Sequence, residues 1–162
     1  MQVFVASLEQ CLKAKNWPAA LCLALTLPEI AGAVESPESS APQRYAQWFD
    51  KWVGLKYRTR LLSGQHALLS GSDCYALRCA MLYQGQEVEA GRRRYVTDAL
   101  HRFHFTQVAT EHCTHKNRAL QIHADRFCRD VVEGCEAWLK SIKNDASKSA
   151  VLKRGLNMAM PL

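Results

Sequence analysis

No Cys-x-x-Cys pair occurs in this chain of 162 residues, although it carries seven cysteines. Paired cysteines at that spacing mark zinc ribbons and thioredoxin-type redox sites, so neither is expected. The odd number and the apolar neighbours of most of these cysteines point to reduced, buried thiols and a cytoplasmic location. The start of the chain, MQVFVASLEQCLKAKNW, lacks the basic region and long apolar run of a signal peptide. The longest apolar segment, around Ala19 to Leu27, falls short of the roughly 20 residues that cross a bilayer. No membrane association is expected. Gly-rich phosphate loops, internal repeats and heptad arrays are also missing, which removes the architectures that depend on them.

The composition that remains is that of a globular protein, with 48% hydrophobic and 22% charged residues. The length suits one domain with a real core. A net charge of +6 permits contact with nucleic acid or acidic surfaces without requiring it. A solvated basic surface is the competing reading.

Helical periodicity dominates the first half. Residues 2–15 carry an apolar stripe of Phe4, Leu8, Cys11 and Leu12. Asn16 caps a second helix, over roughly 17–34, that is apolar nearly all round and therefore central to a bundle. Pro28 is expected to kink or divide it. Residues 35–42 form a loop, and Ser40 with Gln43 makes a capping box. The following helix, 43–56, spaces Tyr45, Trp48, Phe49, Trp52 and Leu55 at three and four residues, a stripe for the core or a dimer interface. Residues 58–70 are a connection with a helical turn near Gln65 to Leu69.

The segment Leu69 to Gly85, LSGSDCYALRCAMLYQG, is the most informative. Ser70 and Asp73 form a capping box with an acid in the third position, and Gly85 stops the helix. Tyr75, Arg78 and Leu82 fall on adjoining turns. Arg78 has apolar neighbours, so its guanidinium needs a carboxylate, an interface or an anion. Either it is a structural arginine paired with Asp73 or Asp50 or bonding helix carbonyls, or it contacts phosphate. Cys74 and Cys79 flank it, and a nearby guanidinium lowers a thiol pKa. Buried inert thiols are the bland alternative.

Beyond Gly85 lies the run Arg92-Arg93-Arg94, a sequence-independent attractant for phosphates or a solvated face. Arg102, Lys116, Arg118 and Arg126 would extend such a surface, with Tyr83 and Tyr95 available for stacking. Residues 101–108 and 119–124 both alternate, with Phe103, Phe105, Leu120 and Ile122 on inner faces, and predict a β-hairpin. Across it, His104 and His123 could meet. Asp125 is placed to cap a last helix over about 126–143. His112, Cys113 and His115, with His101, His104, His123 and Cys128 near by, offer zinc donors but match no standard spacing. No metal and no cofactor are expected. Residues 1–145 are read as one domain and 146–162 as a basic tail, docked or disordered.

Three blocks, ALCLALTLPEI (20–30), RYAQWFDKWV (44–53) and LSGSDCYALRCAMLYQG (69–85), resemble a group of bacterial proteins without an established activity. The third block is similar to the signature of HEPN (higher eukaryotes and prokaryotes nucleotide-binding) domains. These are helical-bundle, often dimeric domains, and many are metal-independent endoribonucleases. Their signature is an arginine followed after four to six residues by a histidine on one helix. Arg78 matches the arginine, and the histidine position is Tyr83. In that chemistry the histidine helps move protons at the attacking 2′-hydroxyl while the arginine stabilises charge on the phosphate. A tyrosine titrates near ~10 and is a poor general base at neutral pH. The resemblance thus implies a HEPN-like helical bundle, and together with the periodicities above the expected fold is mainly α, five or six helices with a β-hairpin before the C-terminal helix. With the histidine missing, and with the basic charge and surplus of large apolar residues, the expectation is a non-catalytic homodimer, joined through the helix 43–56 and the Arg78 helix. It is expected to contact RNA, nucleotide or a protein partner through Arg78, Tyr75, Asp73 and Arg92 to Arg94. The alternatives are a ribonuclease using Arg78 and Tyr83, or a purely structural homodimer.

Overall fold

The computed structural model describes residues 1–62, 64–83 and 98–155, excepting the side chains of residues 61, 83 and 153–155. Its architecture is mainly α with two small β-sheets. In chain order the elements are α1 (Gln2–Lys13), α2 (Trp17–Glu35), α3 (Ala41–Trp52), a 3-10 turn (Gly54–Tyr57), β1 (Arg58–Leu61), β2 (Gly64–Ala67) and α4 (Gly71–Tyr83). A helical turn over 98–102 leads to β3 (Phe103–Thr106), β4 (Thr114–Lys116), β5 (Ala119–His123), α5 (Ala124–Ser141) and α6 (Ala146–Gly155).

The helix starts follow local chemistry. The Ala19 amide donates to Asn16 Oδ1 at 3.4 Å. Gln43 Oε1 accepts from the Ser40 amide at 3.3 Å. At α4 the box closes in both directions: the Ser70 amide donates to Asp73 Oδ2 at 3.1 Å, and the Asp73 amide donates to Ser70 Oγ at 3.2 Å. These bonds satisfy amides that the first helical turn leaves unpaired. The last long helix differs from expectation. Its N-cap is His123, whose Nδ1 accepts from the Arg126 amide at 3.4 Å. Asp125 instead pairs one turn on with Arg129.

Helix α2 is the central element, packed against α1, α3, α4 and α5. Its 19 residues run through Pro28 without division. Pro28 has no N–H to offer the Ala24 carbonyl. Among the described residues, α2 is the one helix long and apolar enough, by length and composition, to cross a membrane. Here its apolar surface is spent on neighbouring helices. Two glycines set close approaches. A Cβ on Gly32 would lie 2.7 Å from the Arg44 carbonyl oxygen, and one on Gly71 would lie 2.4 Å from that of Ala46. Backbones of α2 and α3, and of α3 and α4, therefore meet with no side chain between them.

The first three residues of the aromatic stripe are core within a single chain. The helix stops at Trp52, which is partly buried, and Leu55, expected on the same stripe, falls in the 3-10 turn and is exposed. Tyr45, Trp48 and Phe49 are fully buried. Trp48 meets Trp138 edge-on at 6.2 Å, and Phe49 stacks on Phe127 at 6.5 Å. Such pairs add about 0.5–1.5 kcal/mol to the burial of their rings.

The strands depart from the expected pairing. Strand β3 runs parallel to β5, with Phe103 opposite Leu120 and Phe105 opposite Ile122. The hairpin before α5 is formed by β4 and β5, which are antiparallel and turn at Asn117 and Arg118, both with positive φ (52° and 66°). Asn tolerates this left-handed conformation, which two-residue hairpin turns of the primed types require. As the middle strand, β5 is buried along Ala119 to Ile122, including Gln121, expected on the polar face. His104 lies opposite Gln121 and His123 opposite Thr106, so the two histidines are not cross-strand partners. The segment 58–70 holds the β1–β2 hairpin rather than a helical turn at 65–69.

The segment after residue 145 is helical as far as Gly155. The Lys148 amide caps on Asp145 at 3.0 Å, Lys148 Nζ reaches Glu35 at 3.0 Å, and Leu152 packs on the core.

Candidate functional site

Arg78 sits midway along α4, partly buried. Its guanidinium carbon lies 5.8 Å from the centre of the Tyr75 ring, the partner one helical turn earlier. That geometry suits a cation–π contact, which leaves the in-plane N–H groups free for hydrogen bonds. Its Nε is buried and has no hydrogen-bond partner among the described residues.

Both acids that would make it a structural arginine are engaged elsewhere. Asp73 accepts from Ser70 at the helix start and from Arg102 Nη1 at 3.1 Å. Asp50 Oδ1 accepts from the Gly71 amide at 2.7 Å and so ties α3 to the beginning of α4. No ion pair of Arg78 is formed among the described residues.

A buried acceptor without a partner among the described residues lies on α2, at Glu29. Its Oε1 takes Arg44 Nε at 3.1 Å, while its Oε2 is buried without a partner among the described residues. Arg78 and Glu29 both act electrostatically on the same two tyrosines. Burial raises the Tyr45 hydroxyl well above the usual phenol range, the Cys74 thiol and Glu29 raise it further, and Arg78 opposes them. Tyr75 is raised by burial and by Cys79, again opposed by Arg78 and reinforced by Glu29. One corner where α2, α3 and α4 meet thus holds a cation and an anion, each with an unmet buried atom. An isolated polar group in that state costs about 1–3 kcal/mol.

The other groups of this corner are chemically quiet. The Tyr45 hydroxyl donates to the Leu25 carbonyl at 2.9 Å and lies 3.7 Å from Cys74 Sγ. Cys74 is fully buried, and burial pushes its thiol far up. The expectation that Arg78 lowers a neighbouring thiol is therefore reversed at Cys74, because desolvation of the thiolate outweighs any attraction from the cation. The adjacent side of α4 lines an apolar hollow of about 330 Å³, with Leu77, Ala80 and Met81 facing Leu25, Phe103 and Phe105.

Of the residues singled out in the sequence, the fold brings Tyr75 and Arg78 together and turns Asp73 away to the helix start. Tyr83 ends α4, and its side chain lies outside the described residues, as do Arg92, Arg93, Arg94 and Tyr95. Arg102 pairs with Asp73, and Lys116 with Glu111. All seven cysteines are free. His112 does not face a metal cluster: its Nδ1 accepts from the His123 amide at 3.2 Å. Among the described residues no group of three or more His, Cys, Asp or Glu could hold a metal ion. Glu29 and Arg44 were missed in the sequence. The available signal was the acid that interrupts the otherwise apolar α2.

Against known proteins, no family model, no curated protein and no solved structure matches this chain.

Proposed function

We propose that this protein is a HEPN-like binding module that holds RNA or a nucleotide through Arg78 and does not cut it. One observation carries the reading: Arg78 lies over Tyr75 with a buried, unpartnered Nε, while Asp73 and Asp50 are committed elsewhere. A guanidinium presents a planar fork of donors that matches a phosphate. Glu29 adds an acceptor for a hydroxyl or amine, which a nucleotide carries beside its phosphate. Tyr45, Tyr75 and Cys74 are all held protonated, so none of them supplies a general base near neutral pH. The homodimer that the resemblance implies would use a surface other than Tyr45, Trp48 and Phe49, which are buried within the chain.

The test is binding of labelled mixed-sequence RNA across a salt series, with the RNA recovered and sized. Binding should weaken as salt rises, the RNA should remain intact, and Arg78→Ala should lose roughly tenfold in affinity. Unchanged binding by Arg78→Ala overturns the reading. Fragments that vanish in both Arg78→Ala and Tyr83→Phe replace it with the ribonuclease.

A further inference from the structure

The β1–β2 hairpin is largely exposed. All four residues of β2 are exposed, as are Arg58 and Arg60 of β1. Leu62, at its turn, is fully in water. A Cβ on Gly64 would meet nothing within 4 Å. The root is firmly anchored. Tyr57 is buried and donates to Asp130 at 2.8 Å, the Leu68 amide donates to the Tyr57 carbonyl at 2.8 Å, and Leu69 is buried. Two strands alone are at best marginally stable in water. This root therefore holds out an arm on which Arg58, Arg60, Leu62 and all of β2 are exposed.

The arm has one sign of charge. No Asp or Glu occurs between Asp50 and Asp73. Lys51 is matched by Glu35, and Lys56 by Asp130 and Glu133. Arg58 and Arg60 make no ion pair among the described residues. They are two positions apart on one strand, hence on one face and about 7 Å apart along the backbone. Gln65 stands opposite Arg60 and shares that face. Two unpaired guanidiniums with an amide beside them suit successive phosphates of a nucleic-acid strand, and an apolar tip suits the face or step between bases. A bilayer is the poorer fit. Even a whole myristoyl chain anchors only marginally, and the described tip offers one leucine.

We infer that the β1–β2 hairpin is a nucleic-acid-contacting arm, with Arg58 and Arg60 on consecutive phosphates and Leu62 against the bases. Its choice of ligand rests on the RNA reading of Arg78, but its geometry does not.

The test compares wild type, Arg58→Ser/Arg60→Ser, Leu62→Ser and Arg78→Ala, using a fluorescent mixed-sequence 12-nucleotide RNA over a salt series. Vesicles of phosphatidylcholine with phosphatidylserine serve as the second probe. Each phosphate contact on a single strand adds about 0.7 to the slope of log affinity against log salt. The double variant should therefore lose about 1.4 in slope, with its thermal unfolding unchanged because both side chains are exposed. Leu62→Ser should weaken binding several-fold at the wild-type slope. A double variant with wild-type slope overturns the arm. If Arg78→Ala alone loses binding, the arm falls and the Arg78 reading stands. If the double variant alone loses binding, the reverse holds. A wild type that ignores RNA yet binds the vesicles through Arg58 and Arg60 overturns both.

Discussion

Two carboxylates on α2, less than two turns apart, have opposite fates. Glu35 is saturated: Oε2 accepts from Trp138 Nε1 and Lys148 Nζ, each at 3.0 Å, and Oε1 from Lys51 at 3.1 Å. Burial pushes its carboxyl up, but the hydrogen bonds from Trp138, Lys148 and Lys51 outweigh this and bring it down to about 2. It thereby fastens α3, α5 and α6 to the end of α2. Glu29 has one oxygen satisfied and one buried and empty among the described residues, with Arg78 near by in the same condition. Where a protein needs a polar group only for its fold, it can supply every partner itself. A corner left short on both signs is the one that the proposed ligand would complete.

The comparison breaks most readily at Glu35. Glu35→Ala strands the Trp138 indole N–H and removes a shared partner of two lysines. It should cost roughly 2–3 kcal/mol in urea unfolding. A loss below ~0.5 kcal/mol would show that the saturated centre is not structural. The pH dependence is sharper. The folded Glu35 carboxyl lies below its ordinary value of 4.5, so its stabilisation is complete above that pH. It is lost as pH falls from 4.5 towards about 2. Glu35→Gln should flatten the decline of stability over that window, and an unchanged acid profile would contradict the assignment. The smallest effect is expected at the other centre. Arg78→Leu should change stability by less than about 1 kcal/mol, because no hydrogen bond or ion pair among the described residues is lost, and removal of a desolvated cation offsets the lost contact with the Tyr75 ring. A cost of 3 kcal/mol or more would mean that Arg78 has a structural partner after all.

The legible features were those with local causes. The caps at Asn16, Ser40 and Ser70, and the placing of Arg78 beside Tyr75, each depend on residues three apart, which helical geometry alone brings together. The β1–β2 hairpin was not legible because β2 is exposed on both faces and the sequence of the two strands shows no apolar alternation. Strand β4, Thr114 to Lys116, is also wholly exposed, so the two alternating segments around it read as partners in a hairpin. The His123 cap was obscured by Asp125, the commoner capping residue, two positions on.

Sequence alone settled the mainly helical class, the central place of α2 and the row on which Arg78 lies, because periodicity and capping act within one or two turns. Tertiary structure decided what Arg78 is left to do. Asp50 goes to Gly71 and Asp73 to Arg102, while Glu29 comes into the same corner from α2. Such pairings join residues twenty or more positions apart, and only the packing of α2, α3 and α4 determines which charges are matched and which remain open.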